Sequence, residues 1–433
     1  MTKIKDLEWF CPQPFMNTLV YRTVAPMSCC VIKNWPKSKI KSKYGTTDPK
    51  ELHNEEEYVN FRNEFLNGGG PLTQKYCQVC IEQEKHSTQS HRQIYLGKFT
   101  RWGEYHEHLE NLEEYINTDM SEPNFKTMEY VAPNNFCNLR CNMCGPYNSS
   151  SLAKENKDIG LYDAYGMEPF KNKTLIKQKD NVEEYADILK NLVELKLVGG
   201  ETLAIKENYD LIKLAVDMGV SKNMSLKITT NGTLTPKFDG KDVFDYIPHF
   251  KDCSMTISIE FWGNKNNYLR FPSKWEVIIK NARKFADCPR TRIVFATTVN
   301  ALTIGYLPEI AYGVYGLRDE YDSWSGIINE NGFTYNLWHW ASGSLVWGDG
   351  NQYAVTAIPL DIRETYMYKY FEYGDFLREE YVEWQKLYDY LENMPFDEEL
   401  HKEMMKDIQV RDKHRGTCLT DIFPEWEPYY EKL

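Results

Sequence analysis

Short apolar runs alternate with amphipathic segments through the middle of the chain. Between the runs, apolar residues recur at i, i+3, i+4 and i+7, which is the spacing of one helix face. The predicted helices cover 181–192, 207–219, 273–286 and 306–317. The predicted strands are MEYVAP, ELKLVGGETL, MSLKITTNGT, SMTISIEF, RIVFATTVN and FTYNLWHW. Strands that alternate with helices of this length predict an α/β fold with a parallel sheet or barrel.

Polar motifs end these predicted strands, where active sites lie in parallel α/β folds. Gly199-Gly200-Glu201 ends one strand, and Thr230-Asn231 ends the next. Each motif has a simpler interpretation, with Gly-Gly as a tight turn and Asn-Gly as a hairpin turn. The segment that follows Asn-Gly, TLTPKFDGKD, contains proline and glycine and offers no clean partner strand for a hairpin.

The strand MTISIEF has one polar face. Strict alternation puts Thr256, Ser258 and Glu260 on one side and Ile257 and Ile259 on the other. Because interior positions of such barrels are usually apolar, the polar face indicates a candidate site. A single solvated face is the alternative.

Length and charge limit the classes of protein to consider. With 433 residues, the chain predicts two or three domains or one large barrel with additions. Its net charge of −12 argues against an extended nucleic-acid surface. The N-terminus has no apolar signal-peptide core, and no apolar run is long enough to span a membrane. We therefore expect a soluble, cytoplasmic protein with reduced thiols, where clustered cysteines indicate metal binding or catalysis.

Cys137, Cys141 and Cys144, here called the cysteine trio, lie in the stretch NNFCNLRCNMCGP. Their spacing would fit one helix face, but the neighbouring asparagines and the closing Gly-Pro disfavour a helix. We predict a loop after a strand, with its thiolates bound to an iron–sulfur cluster. Three thiolates on four irons leave one iron open for a small molecule, as in catalytic rather than structural metal sites.

C-x3-C-x2-C after a first strand, followed in order by the motifs above, resembles the radical S-adenosylmethionine (SAM) superfamily. The resemblance implies a partial (β/α)6 TIM-like barrel and a [4Fe-4S] cluster on the trio, with SAM on the fourth iron. It also implies that SAM is reductively cleaved to a 5′-deoxyadenosyl radical, which abstracts a substrate hydrogen. An electron donor such as flavodoxin or ferredoxin is the implied partner.

The resemblance also assigns roles to the strand-end residues. Gly199, Gly200 and Glu201 correspond to the methionine end of SAM, although Thr202 stands where a proline is usual. Thr230 and Asn231 correspond to the ribose region.

Two further cofactor contacts are expected beyond these motifs. Ser258 is expected near the carboxylate or ribose of SAM, and Arg270 is expected to pair with the carboxylate. A surface arginine is the alternative for Arg270. Glu260 stands where relatives often have aspartate, and a general base is one interpretation. Met143 replaces an aromatic residue common before the third cysteine.

A second group of cysteines precedes the barrel: Cys11, Cys29, Cys30, Cys77 and Cys80. Cys-x2-Cys fits a structural zinc site. The order of the five also resembles the auxiliary-cluster modules, twitch or SPASM, of radical SAM proteins, which we prefer. Cys11, Cys77 and Cys80 with Cys29 would supply four ligands, and Cys30 is the alternative to Cys29.

The predicted domains are an auxiliary-cluster module at 1–125, the partial barrel at 126–345 and a helical C-terminal cap at 346–433. The segment 147–180 is predicted to be a long polar loop, typical of a lid or binding loop. His339 is a candidate acid or ligand, while Thr297 and Asn300 are candidates to face the cavity.

The sequence predicts a radical SAM enzyme, with a peptide or protein as the preferred substrate by family analogy. One alternative is a non-catalytic iron–sulfur, metal-binding or electron-transfer protein. Another is a radical SAM enzyme that acts on a small molecule or nucleotide.

Overall fold

A computed structural model gives the fold of most of the chain. It describes residues 2–20, 28–30, 32, 49–85, 90–100, 105–162, 173–177, 181–325, 333–336, 351–375 and 384–430. His339 lies outside the described residues.

A seven-stranded parallel sheet forms the centre of the molecule, and its strands follow one another in chain order. The strands are β1 (Asn17–Val20), β2 (Thr127–Val131), β3 (Glu194–Val198), β4 (Ser225–Thr230), β5 (Asp252–Ser258), β6 (Thr291–Ala296) and β7 (Phe333–Asn336). The predicted α/β fold is confirmed, and β2 to β7 correspond to the six predicted strands. Sequence reasoning missed β1, which pairs in parallel with β2.

Helices connect the strands of the barrel where the apolar spacing predicts them. From the end of β2 onward, the α-helices of this region are Ser150–Asp158, Ala186–Leu189, Lys206–Asp217, Asn266–Leu269, Trp275–Ala286 and Leu307–Ser325. The helix Ser150–Asp158 corrects the prediction of a continuous loop over 147–180. It forms because Ser149 caps its first turn by accepting a hydrogen bond from the Leu152 amide at 3.0 Å.

The two faces of the sheet differ in polarity. Leu195, Leu197 and Ile228 are fully buried in the main core, on the face that packs against the helices. The other face carries charged side chains, among them Glu129 and Lys196, which form a buried ion pair at 3.1 Å. Each face of the sheet is buried, but one is apolar and the other carries polar side chains, as the alternation in MTISIEF predicts for β5.

The N-terminal segment packs on the polar face through charge and has an apolar core of its own. Lys98, on the helix His91–Thr100, lies 3.8 Å from Glu194 at the start of β3. A separate cluster of buried residues includes Phe15, Phe61 and Tyr76. The other α-helices of this segment are Gln13–Met16, Pro49–His53, Glu56–Leu66, Pro71–Tyr76, Gln78–Lys85 and Leu109–Tyr115. The division of the chain into three domains stays a prediction.

The C-terminal region is helical, as predicted, and packs on the barrel. Its α-helices are Leu360–Glu372, Trp384–Asn393, Glu398–Arg415 and Leu419–Ile422. Tyr366, Ile408 and Trp426 are fully buried in the main core. We call Glu398–Arg415 the C-terminal helix. It ends at Gly416, whose φ of +68° is the left-handed conformation that terminates helices.

Candidate active site at the carboxyl ends of the strands

The cysteine trio lies in a loop directly after β2, and the predicted loop conformation is confirmed. Cys137 and Cys141 are buried, and Cys144 is partly buried. Burial raises the pKa of Cys137 well above its usual value, and the neighbouring thiols of Cys141 and Cys144 raise it further. The three thiols are therefore close enough to influence one another, in a setting where a bound cation would favour their ionised form.

Hydrogen bonds fix the backbone of this loop on both sides of Cys141. The amide of Arg140 donates to the Phe271 carbonyl at 2.6 Å, and the amide of Asn142 donates to the Leu269 carbonyl at 3.1 Å. Ser151 Oγ donates to the Cys137 carbonyl at 2.7 Å. The cysteine loop is consequently held by the segment after β5 and by the helix Ser150–Asp158, which follows the loop in the chain.

Gly200 contacts the loop so closely that no side chain fits at its position. Its φ is +55°, and a Cβ there would lie 2.4 Å from the Phe136 carbonyl oxygen. The next amide, that of Glu201, donates to the same oxygen at 2.6 Å. The glycine motif after β3 is therefore a docking point for the cysteine loop, and the interpretation as an ordinary tight turn is insufficient.

The Glu201 carboxylate joins the ends of β3 and β4. It is fully buried and accepts hydrogen bonds from Thr230 Oγ1 at 2.5 Å and from the Asn231 amide at 2.8 Å. Burial raises the pKa of Glu201 to about 6, while these donors oppose the rise. The resemblance places this carboxylate at the methionine end of SAM, and the structure shows it bonded to the two residues predicted beside the ribose.

Asn231 reaches the trio from the end of β4. Its side-chain nitrogen lies 3.8 Å from Cys137 Sγ and donates to Asn138 Oδ1 at 2.9 Å. Thr233 Oγ1 donates to Asn231 Oδ1 at 2.6 Å, which fixes the orientation of the amide. The Asn-Gly motif therefore presents a donor to a thiol.

Arg270 reaches the trio from the segment after β5. Its guanidinium lies 3.9 Å from Cys141 Sγ and donates to Glu260 Oε1 at 2.6 Å. Its Nε is buried and has no hydrogen-bond partner in the described part of the chain. A buried donor without a partner beside a thiol fits the carboxylate of a bound cofactor. The alternative of a surface arginine is excluded, because the side chain is 10% exposed.

Glu260 holds Arg270 in this position. β5 ends at Ser258, so Glu260 lies beyond the strand, where it is fully buried. Its second oxygen accepts from the Thr298 amide at 3.1 Å. Burial raises the pKa of Glu260 to about 7, although Arg270 opposes the rise.

Three other predicted residues lie at the same edge of the sheet. Ser258 ends β5 opposite Ala296 and is partly exposed. Thr297 is fully buried. Asn300 donates to the Thr298 carbonyl at 2.9 Å and accepts from the Leu302 amide at 2.9 Å. Its side chain therefore stabilises a turn, which corrects the expectation that it faces the cavity.

Four N-terminal cysteines line one cavity: Cys11, Cys29, Cys77 and Cys80. We call this the N-terminal cysteine cavity. Its other walls are largely aromatic and aliphatic, with Trp9, Gln13, Pro14, Ile32, Phe61, Phe65, Tyr76 and Arg92. Burial raises the pKa of Cys11 to about 12 and that of Cys80 to about 11. These thiols come from separate helices and loops, yet they share one apolar space.

Cys30 is oriented differently from its neighbour Cys29. Its Sγ lies 3.5 Å from His91 Nε2, and it is absent from the cavity lining. Among the described residues, no three His, Cys, Asp or Glu side chains converge closely enough to hold a single metal ion.

Sequence reasoning missed a charged network behind the trio. Glu155 is fully buried and pairs with Arg411 and Arg415 of the C-terminal helix at 2.9 and 2.6 Å. No local spacing reveals these contacts, because the partners are more than 250 residues apart along the chain.

The model of the Radical SAM superfamily matches residues 131–310, from the end of β2 into the helix Leu307–Ser325. The chain carries a radical SAM domain. The enzymes of this superfamily use a [4Fe-4S] cluster and SAM as cofactors. The match includes the trio and every strand-end motif described above. No curated protein matches the chain.

Three solved structures of SuiB from Streptococcus suis also match. With SuiB bound to its precursor peptide SuiA, the identity is 14% and the TM-score 0.31, over 55% of this chain and 54% of that one. With SuiB bound to SAM, the identity is 12% and the TM-score 0.35, over 84% of this chain and 70% of that one. SuiB alone gives 12% and 0.35, over 88% and 70%. The radical SAM assignment therefore comes from the family model and the site. In the described part of the chain, no helix has the length and apolar character that crossing a membrane requires.

Proposed function

We propose that the cysteine trio, Cys137, Cys141 and Cys144, holds a [4Fe-4S] cluster with one open iron that binds SAM. When bound, the cluster and SAM supply a 5′-deoxyadenosyl radical, which removes hydrogen from an unreactive carbon of the substrate. The task of this chain is to bind and orient both reactants and to exclude water. We propose the reaction class only, with the product left open.

One observation carries the proposal. Asn231, at the end of β4, and Arg270, in the segment after β5, approach two different thiols of the trio at 3.8 and 3.9 Å. Donors to thiolates stabilise structural and catalytic metal sites alike. The partnerless Nε of Arg270 goes beyond that need, because it offers a further hydrogen bond to an anionic cofactor beside the trio.

The strand-end residues have distinct proposed roles toward SAM. The backbone of Gly199 and Gly200 admits the methionine end, because neither residue has a side chain. Thr230 and Asn231, oriented by Glu201, border the ribose.

Two residues are proposed to meet the carboxylate end of SAM. The partnerless Nε of Arg270 binds the carboxylate, and Ser258 contacts the same end of the cofactor. Glu260 acts as a positioning residue, since its carboxylate holds the Arg270 guanidinium at 2.6 Å.

We further propose that the N-terminal cysteine cavity holds an auxiliary iron–sulfur cluster within a module over 1–125. Four thiols supply every iron of a four-iron cluster with a protein ligand, so this site has no position for substrate. Its largely apolar walls support a closed site. We therefore propose electron transfer from the product radical as its role, and Cys29 rather than Cys30 as ligand.

The proposed substrate is a peptide or protein, on the resemblance of the N-terminal cysteines to SPASM-type modules. The proposed partner is a one-electron donor such as flavodoxin or ferredoxin, since cleavage of SAM consumes an electron. The barrel at 126–345 and the cap at 346–433 complete the proposed domain arrangement.

Anaerobic reconstitution with iron and sulfide, followed by reduction with SAM present, tests the enzyme assignment. Wild-type protein is expected to form 5′-deoxyadenosine, measured by mass spectrometry, even without substrate. A protein with an intact four-iron cluster that forms none would favour the non-catalytic alternative. Zinc in place of iron in the N-terminal cysteine cavity, measured by elemental analysis, would contradict the auxiliary cluster alone.

A further inference from the structure

The C-terminal helix contacts the loop of the cysteine trio through Arg415. The Arg415 guanidinium donates to the Arg140 carbonyl at 2.6 Å and also to Asn142 Oδ1. These two residues flank Cys141 directly in the chain. A single side chain of the C-terminal helix therefore holds the residues on both sides of Cys141.

This arginine is buried and charge-balanced. Its side chain is 2% exposed, and it donates to both oxygens of Glu155 at 2.8 and 2.6 Å. Arg411, one helical turn earlier, also donates to Glu155 and makes a two-pronged contact with Asp407. Both arginines lie at or near the end of the C-terminal helix, where the helix dipole favours cations.

The network extends to the other residues around the trio. Asn142 donates to Tyr353 Oη at 3.2 Å, and Tyr353 donates to Asp407 at 2.8 Å. Asp412 of the same helix accepts from Tyr268, two residues before Arg270, at 3.0 Å. The C-terminal helix thus supports both the cysteine loop and the segment that carries the proposed SAM-binding arginine.

We propose that Arg415 is a positioning residue that sets the reduction potential of the cluster on the trio, with Glu155 as its opposing charge. The inference rests on the proposed function, because it requires a cluster on these thiols. A buried cation beside a cluster favours the added electron, and a buried anion disfavours it. Burial keeps water from screening either effect.

The test is an EPR-monitored redox titration of the reconstituted full-length protein. Arg415→Gln removes a cation and is expected to lower the midpoint potential of the SAM-sensitive signal. Glu155→Gln removes an anion and is expected to raise it. General loosening of the fold would move both variants in the same direction, so opposite shifts are the signature of the proposed role.

Arg283→Gln is the matched control. Arg283 lies on the helix Trp275–Ala286 and forms an exposed ion pair with Glu320. The substitution also removes one cation, but it is expected to leave the reduction potential unchanged. If Glu155→Gln fails to fold, Asp407→Asn replaces it, with the same expected rise.

The two proposals fail in different ways. Unchanged potentials in both charge variants, or shifts of the same sign, would overturn the role of Arg415 while the enzyme assignment stands. A wild-type protein without a SAM-sensitive cluster signal would overturn the proposed function and this inference with it.

Discussion

The two cysteine sites of this chain differ in the number of thiols and in what surrounds them. The cysteine trio has three thiols, and Asn231, Arg270 and Arg415 direct polar or charged groups toward its loop. The N-terminal cysteine cavity has four thiols and mostly aromatic and aliphatic walls. Its one lining arginine, Arg92, is bonded to Glu84.

This difference supports the proposal that the trio binds an exchangeable ligand and that the N-terminal cysteine cavity is a closed site. The buried Arg270 Nε, which has no partner in the described part of the chain and lies beside a thiol, can donate to an acceptor that arrives with a cofactor or substrate. Apolar walls lower the local dielectric and exclude water, which suits a fully coordinated cluster. We therefore propose that an iron–sulfur cluster serves SAM binding in the trio and electron transfer in the N-terminal cysteine cavity.

The largest effect is expected when either set of thiols is removed. In the triple variant Cys137→Ala, Cys141→Ala, Cys144→Ala, 5′-deoxyadenosine should fall to background and about four irons per chain should be lost. In the double variant Cys77→Ala, Cys80→Ala, a similar amount of iron should be lost while 5′-deoxyadenosine still forms. Iron analysis and mass spectrometry measure both. Equal loss of cofactor cleavage in the two variants would remove the distinction between the sites.

Variants of the adjacent Cys29 and Cys30 test which of the two thiols is the fourth ligand of the closed site. Cys29 lines the cavity, whereas Cys30 lies 3.5 Å from His91. Cys29→Ala is expected to reduce the iron held by the N-terminal cysteine cavity, and Cys30→Ala is its matched control, expected to keep that iron. The reverse result would make Cys30 the ligand.

A smaller effect is expected at Gly200, which docks the glycine motif on the cysteine loop. Gly200→Ala puts a Cβ 2.4 Å from the Phe136 carbonyl, so the loop must shift. We expect cofactor cleavage to fall by roughly 10- to 100-fold, as for other changes that support a metal site indirectly. Initial rates of 5′-deoxyadenosine formation measure the loss.

Gly219→Ala is the control for that substitution. Gly219 has a similar positive φ of +72°, but a Cβ there meets nothing within 4 Å. It should carry only the backbone strain of about 1–2 kcal/mol. Equal losses of activity in the two variants would show that strain, rather than the close approach to the loop, causes the effect.

The smallest effect is a pH-dependent stability difference at Glu260. Burial raises its folded-state pKa to about 7 from a usual 4.5. A raised pKa means that the folded protein favours the protonated form. The stability this contributes is present below about pH 4.5 and is lost as the pH rises through 7.

Glu260→Gln removes that titration. The melting temperature of the wild type, relative to the variant, should therefore decrease between pH 5 and pH 8 in metal-free protein. Thermal unfolding followed by circular dichroism measures it. A relative melting temperature that increases with pH would contradict the raised pKa.

The fold was largely predictable because the barrel strands carry a strong periodic signal. β3 and β4 each join a buried apolar run to a polar motif, and their order along the chain is their order in the sheet. β1 could not be predicted, because it pairs with a strand far along the chain, Asn17 opposite Thr127, and does not follow the strand–helix alternation of the barrel. The helix Ser150–Asp158 was missed because its composition is mostly polar, and Ser149 and tertiary contacts decide it.

The site was predictable where strand ends bring residues together and not where distant segments do. Parallel strands place Glu201 and Asn231 at one edge, so their proximity to the trio follows from topology. The pairing of Glu260 with Arg270 depends on where β5 ends. The contact of Arg415 with Arg140 joins residues 275 positions apart, which no local spacing encodes.

The most direct test of the open-iron account is the EPR spectrum of the reduced Cys77→Ala, Cys80→Ala variant, recorded with and without SAM. In this variant the only cluster that we propose is the one on the trio. We predict that SAM changes the g values of the signal, because its amino and carboxylate groups coordinate the iron that lacks a protein ligand. An identical spectrum with saturating SAM, from a protein that retains about four irons per chain, would contradict the account.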